Sequence, residues 1–196
     1  MSKKVGLSRV QILESAHELL KSEGVSAVSM RRVADALGTA PMSLYTYVKN
    51  KEDLLEGVLA LVLGNLEVRV DFSTGNWQEQ VATWMYSLRE QLNSNPEIFP
   101  LFRSQGRYSE AYLSAVDLLI SILKPTGLSE KEIIKNVRLI NWTVFGFVLI
   151  ESSAPTSDDE TISVINRLVY ADIGDLFTYQ VEVMIKGLSA LINNLD

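Results

Sequence analysis

The sequence predicts an all-α fold in two parts, a small N-terminal three-helix unit over residues 1–50 and a helical body over 51–196. Three observations lead there. Apolar residues recur at three- and four-residue spacing almost throughout, with almost no two-residue alternation. Capping residues, glycines and prolines punctuate the chain at helix-length intervals. The 196 residues are 47% hydrophobic and 21% charged, an ordinary composition for a globular chain able to bury a core.

The elements follow in order. Ser8-x-x-Gln11 is a capping box, and Val10, Leu13, Ala16 and Leu20 give the stripe of a first helix that ends at Gly24. Ser29 caps a short second helix, Met30 to Leu37, which stops at Gly38. Thr39 is expected to cap a third, with Pro41 in the first turn, where a missing N–H does no harm. Asn50-x-x-Asp53 opens a fourth, with Glu52 and Asp53 near its positive end. After a loop at 71–75, Asn76-x-x-Glu79 begins a helix bearing Trp84, Met85, Leu88 and Leu92. Pro96 and Pro100 punctuate a short segment with Ile98, Phe99, Leu101 and Phe102. A helix from about Ser109 to Leu123 stops at Pro125-Thr126-Gly127, and Ser129-x-x-Glu132 caps a long one reaching Glu151. Residues 152–160 read as a polar, acidic loop, followed by helical stretches around 161–170 and 173–195.

Composition excludes several kinds of chemistry. Without cysteine there is no disulfide or thiolate metal site, and one histidine, His17, cannot make a histidine-rich one. His17 lies between Leu13 and Leu20 and reads as a partly buried packing residue. No Gly-rich phosphate loop and no evident carboxylate cluster point to an enzyme, and no cofactor is expected. No signal-peptide pattern follows Met1, and the apolar run Val137–Ile150 falls short of the roughly 18–20 residues of a membrane span. A cytoplasmic protein is expected.

The net charge of −6 conceals an asymmetry. Residues 1–51 hold eight basic against four acidic residues, a net of +4, whereas 52–196 hold ten basic and twenty acidic, a net of −10. A basic head on an acidic body is the footprint of a nucleic-acid binder. Residues 29–48 read as two short helices separated by a turn at Gly38, with Val33, Ala34, Leu37, Leu44 and Val48 packing inward. Thr39, Pro41, Met42, Ser43, Tyr45 and Tyr47 are left outside. That set suits a helix in a major groove, because short side chains admit the backbone, hydroxyls bond phosphates or base edges, and apolar groups meet thymine methyls. Lys49 and Lys51 follow, placed for phosphates, and the guanidinium fork of Arg31 matches O6 and N7 of guanine.

The stretch from Met30-Arg-Arg-Val-Ala-Asp-Ala-Leu-Gly through Leu44-Tyr45-Thr-Tyr47-Val-Lys49-Asn-Lys51 to Leu55 resembles the helix-turn-helix of the tetracycline-repressor (TetR/AcrR) family. So does the preceding helix from Ile12 to Gly24, and the resemblance covers residues 8–60. It implies that Arg31, Pro41, Met42 and Ser43 face bases while Tyr45, Tyr47 and Lys51 hold the backbone. Thr39 and Lys49 join the set as further DNA contacts, while Lys3 and Lys4 read as a solvated terminus, with a flexible arm touching DNA as the alternative.

In the body, Val137 to Ile150 is apolar nearly all round, as a helix buried on every side would be. A partner on one side and core on the other satisfy that condition. Segments 129–151 and 173–195, paired with their symmetry mates, are expected to form a homodimer. Trp84, Leu88, Phe99, Phe102, Tyr108, Tyr112, Trp142, Phe145 and Phe177 are candidates to line an apolar ligand cavity, with Arg103, Arg107 and Asn141 as orienting polar groups. The reading is thus a helix-turn-helix DNA-binding domain joined to a helical ligand-binding and dimerisation domain. The resemblance implies a repressor of operator DNA released from a palindromic site by a small, largely apolar effector. The competing reading is a helical homodimeric ligand- or protein-binding module without DNA activity.

Overall fold

The computed structural model describes residues 7–64, 75–104, 110–152 and 172–194. Lys3, Lys4, Arg107, Tyr108, the side chain of Arg103, the expected loop 71–74, most of the acidic loop and the expected helix at 161–170 lie outside the described residues. Every regular element among the described residues is helical: α1 (Arg9–Glu23), α2 (Met30–Ala36), α3 (Pro41–Leu44), α4 (Lys51–Leu63), α5 (Trp77–Ser94), α6 (Phe99–Ser104), α7 (Glu110–Leu123), α8 (Glu130–Ser152) and α9 (Ile173–Asn193). Short 3₁₀ turns at Pro96–Ile98 and Lys124–Thr126 precede α6 and follow α7.

Two compact units emerge, one of residues 1–65 and 95–115, the other of 66–94 and 116–196. In the first unit, α1 packs on α4 and α2, and α2 on α3, around Ile12, Ala16, Leu20, Val33, Leu44 and Leu54. Its helix starts are chemically specified. The Ser8 side chain accepts from the N–H of Gln11, and the Gln11 side chain returns a bond to the N–H of Ser8. Asn50 Oδ1 accepts from the Asp53 N–H at 2.8 Å. At the other end of α2, Gly38 takes a left-handed φ of 62°, its N–H bonds Asp35 O, and the Thr39 N–H bonds Ala34 O. This is a Schellman motif.

That motif corrects one expectation. Thr39 does not cap α3, because its backbone is already committed to closing α2. The N-cap is Ala40, which offers no side-chain bond, and Pro41 begins the helix. The turn is thus set by glycine on one side and proline on the other.

In the second unit α5 packs on α8 and α9, and α8 on α9. Trp84 and Phe177 are completely buried, together with Met85, Leu92, Ile140, Val144 and Val148. Reciprocal bonds between Asn76 and Glu79, and between Ser129 and Glu132, start α5 and α8. The latter holds the Glu132 carboxyl below its ordinary pKa, chiefly through the Ser129 hydroxyl. Helix α8 is longer than its apolar run, 23 residues, and an 18-residue window reaches a mean hydropathy of 1.5. By length and composition alone it meets the measure of a membrane span, which revises the reading that it falls short. Only one of its faces is buried within the chain, and that face carries two asparagines, Asn136 and Asn141.

Candidate nucleic-acid interface

The outward face of the first unit is built around a very short recognition element. Helix α3 buries only Leu44, and Val48 anchors the turn after it. With these two fixed inward, Met42 is 76% exposed, Tyr45 48% and Tyr47 37%. Thr39, Pro41 and Ser43 are half-buried, while Arg31 and Lys49 are exposed.

The two arginines of α2 differ in what binds them. Arg32 makes a two-pronged bond to Glu23, with Nη1–Oε2 at 2.7 Å and Nη2–Oε1 at 2.6 Å. That bond holds the Glu23 carboxyl below its ordinary pKa. Arg31 has no side-chain partner among the described residues, so its fork stays open to a ligand. Lys51 is half-buried, and its Nζ donates to the Val25 carbonyl at 3.1 Å. An ammonium has three donors, so this bond positions the cation while leaving others for an anion.

Four contacts were not legible in the sequence. Arg9 reaches from α1 to the turn after α3, donating from Nη1 to the Tyr47 carbonyl at 3.3 Å and from Nη2 to Asp53 Oδ1 at 3.2 Å. The other oxygen of Asp53 accepts the Lys49 N–H at 2.7 Å. His17, expected to be a packing residue, is indeed buried, yet its Nε2 lies 2.6 Å from Glu97 Oε1. No spacing rule pairs Arg9 with Tyr47 or Asp53, or His17 with Glu97, so far apart along the chain, and the only hint was the presence of polar groups on otherwise packed helices.

The expected ligand-lining residues are divided between the units. Phe99, Phe102 and Tyr112 belong to the first, where the Phe102 and Tyr112 rings meet edge to face with centroids 6.0 Å apart. Trp84, Leu88, Asn141, Trp142, Phe145 and Phe177 belong to the second. There Trp84, Leu88, Asn141 and Phe177 are buried, whereas Trp142 is 56% exposed on the opposite side of α8. Asn141 donates to the Val137 carbonyl of its own helix. Phe177 is met edge to face by Tyr86 and Phe147, and the Arg89 guanidinium lies 4.6 Å from its centroid.

Arg89 also makes two bonds to Glu151, at 2.6 and 3.0 Å, and Asn93 adds a third at 2.8 Å. Partial burial pushes the Glu151 carboxyl pKa up, but the Arg89 and Asn93 bonds and the arginine charge outweigh it, leaving the group below its ordinary range. Beside this cluster a depression of about 380 Å³ is lined by Tyr86, Arg89, Glu90, Asn93 and Ser94. None of these residues was among the sequence candidates. Among the described residues no group of His, Asp and Glu side chains is arranged to hold a metal ion.

Similarity to known proteins agrees with this construction. The family profile described as "Bacterial regulatory proteins, tetR family" matches residues 12–58, and that of the "Tetracyclin repressor-like, C-terminal domain" matches 71–172. The HTH-type transcriptional repressor DrrR1 of Streptomyces coeruleorubidus is 27% identical over 136 residues, covering 69% of this chain. The matched part is 50% of DrrR1, so the chain spans about half the length of that relative. Apo ActR from Streptomyces coelicolor superposes with a TM-score of 0.78 at 24% identity, covering 99% of this chain and all of that one. ActR in complex with (S)-DNPA gives 0.71 at 25% identity, covering 94% and 98%. With one profile matched across its helix-turn-helix and the other across more than half its length, the chain belongs to the tetR family of bacterial regulatory proteins.

Proposed function

We propose that the protein is a transcriptional repressor that binds a palindromic operator as a homodimer and is released by a small, largely apolar effector. The observation that carries this reading is the outward face of α2 and α3. There Arg31, unpartnered among the described residues, and Ser43 and Met42 stand beside Tyr45, Tyr47, Lys49 and Lys51. Base edges are assigned to Arg31, Pro41, Met42 and Ser43, and phosphates to Tyr45, Tyr47 and Lys51, with Thr39 and Lys49 as supporting contacts. In functional terms residues 1–50 are the reading head and 51–196 the sensing and dimerising body.

Dimerisation is assigned to the outward faces of α8 and α9. Leu139, Trp142, Leu149 and Ile150 on one, and Leu176, Tyr179, Val183 and Leu191 on the other, are each about half exposed or more in the single chain. Two apolar faces of that size invite a two-fold partner. An effector site is assigned to the aromatic core of the body around Trp84, Leu88, Asn141, Phe145 and Phe177. Phe99, Phe102 and Tyr112, which belong to the first unit, are kept as separate candidate effector contacts rather than as part of that site. Support for a small ligand comes from ActR, solved with (S)-DNPA. The relatives are regulators, in keeping with a non-enzymatic, cytoplasmic protein.

The test is selection of bound duplexes from a random DNA pool at two salt concentrations. The expected result is a palindrome whose half-sites lie about 34 Å apart or a multiple of that, bound more weakly at higher salt. Failure to enrich any sequence, with no salt-dependent binding of duplex DNA, would favour the ligand-binding homodimer without DNA activity.

A further inference from the structure

Residues 45–49 follow a helix of only four residues, too short to hold them by its own hydrogen-bond ladder. Two of their amides, those of Tyr47 and Val48, bond the Leu44 carbonyl that ends α3, and the rest of the backbone is fixed from outside. The Tyr47 carbonyl receives Arg9, and the Lys49 N–H is received by Asp53. Arg9 and Asp53 are themselves joined at 3.2 Å. Asp53 is fixed in turn, since its own N–H bonds Asn50 Oδ1. Helices α1 and α4 approach closely enough for this because position 57 is glycine. A Cβ there would stand 2.5 Å from Leu13 Cδ2 and 3.1 Å from Arg9 Nη2.

We infer that Arg9 and Asp53 are positioning residues of the DNA interface. They set the backbone that presents Tyr45, Tyr47 and Lys49 to phosphates, without being phosphate ligands themselves. This rests on the reading of the protein as a DNA-binding regulator. Asp53 makes the point sharply. An acidic group on a surface that meets DNA opposes binding by its charge alone, so its removal should help unless it does something else. The geometry supplies that something else: one carboxylate holds both the Lys49 amide and the guanidinium that grips the Tyr47 carbonyl.

The experiment measures binding of Asp53→Asn, Arg9→Lys and the double variant to a duplex recovered from the random pool, across a salt series. Thermal unfolding by circular dichroism checks that each variant folds. Each single change is expected to weaken binding about three- to tenfold, the worth of a hydrogen bond or two. The double change is expected to be no worse than either single one, because both break the same unit. The salt slope is expected to stay unchanged, since no phosphate contact is lost. Tighter binding by Asp53→Asn, or unchanged binding by Arg9→Lys, would overturn the inference by showing that net charge alone matters. A slope shallower by about one unit in Arg9→Met would overturn it too, identifying Arg9 as a phosphate ligand.

A second measurement needs no DNA. Amide exchange at Lys49 is expected to quicken about tenfold in Asp53→Ala, once its acceptor is gone. Unchanged exchange would overturn the inference while leaving the regulator reading intact. Failure of the unaltered protein to bind any duplex would overturn both.

Discussion

The turn after α3 and the middle of α8 both hold large side chains out to solvent, by different means and with different chemistry. Around α3 the exposed groups are Met42, Tyr45 and Tyr47, interleaved with Ser43 and Lys49 on a backbone held by Arg9 and Asp53. On α8 they are Leu139, Trp142, Leu149 and Ile150, carried by an uninterrupted helix whose own ladder supplies the rigidity. The first surface is mixed and hydroxyl-bearing, suited to a wet, charged partner whose atoms must be met individually. The second is apolar and continuous, suited to exclusion of water by another apolar face. Exposure alone therefore does not identify a partner. What separates the two is whether polar groups are interleaved with the apolar ones and whether the backbone beneath needs outside support.

Substitutions should pull these surfaces apart. The largest effect belongs to the buried side of the body: Trp84→Ala is expected to cost about 3–5 kcal/mol of folding stability, read by denaturant titration. Trp142→Ala, on the opposite side of α8, should leave monomer unfolding nearly unchanged while weakening self-association by about 2–4 kcal/mol in sedimentation equilibrium. Equal losses in both assays would mean that Trp142 is simply core. In the head, Arg31→Ala is expected to cost about 1–3 kcal/mol of operator affinity and to relax selectivity at one base position. Loss spread evenly over all sequences would remove it from the readers.

Lys51→Ala should weaken binding to every sequence alike and make the salt slope shallower by about one unit. An unchanged slope would assign Lys51 wholly to its Val25 bond. The smallest effect concerns the tie between α5 and α8. The pKa of Glu151 is lower folded than unfolded, so its contribution to stability is complete above the ordinary glutamate value. It is lost as pH falls through the folded one. Glu151→Gln should therefore flatten the acid limb of stability against pH below about 4.5, and an unaltered limb would show that Arg89 does not select the charged form.

Local chemistry was legible and distant chemistry was not. Ser8, Ser29, Asn50, Asn76 and Ser129 announced their helices because a cap and its target lie three residues apart, within one sequence window. Thr39 misled because the same window also contained the close of α2, and the Schellman bonds of Gly38 and Thr39 took precedence over a cap for α3. Inward residues of the head, such as Val33, Leu44 and Val48, followed from helical period. The ties that fix the head and body join residues separated by 44, 80 and 62 positions: Arg9 with Asp53, His17 with Glu97, Arg89 with Glu151. They depend on how helices cross, which period does not reveal. For the same reason Trp142, although aromatic and within a largely apolar segment, gave no sign of which side of α8 it would occupy.

The crowding at Gly57 gives an experimenter a thermal handle on the regulator. A methyl added there collides with Leu13 and presses on Arg9, while every outward residue of α2 and α3 keeps its chemistry. For alanine the overpacking of about 1–3 kcal/mol is offset by the movable end of Leu13 and by the gain of about 1 kcal/mol over glycine inside a helix. A sizeable loss therefore needs a bulkier, β-branched side chain. Gly57→Val is thus the natural starting point for a temperature-sensitive allele, active in the cold and lost in the warm. Such an allele would allow genes under its control to be found by shifting a culture between two incubators.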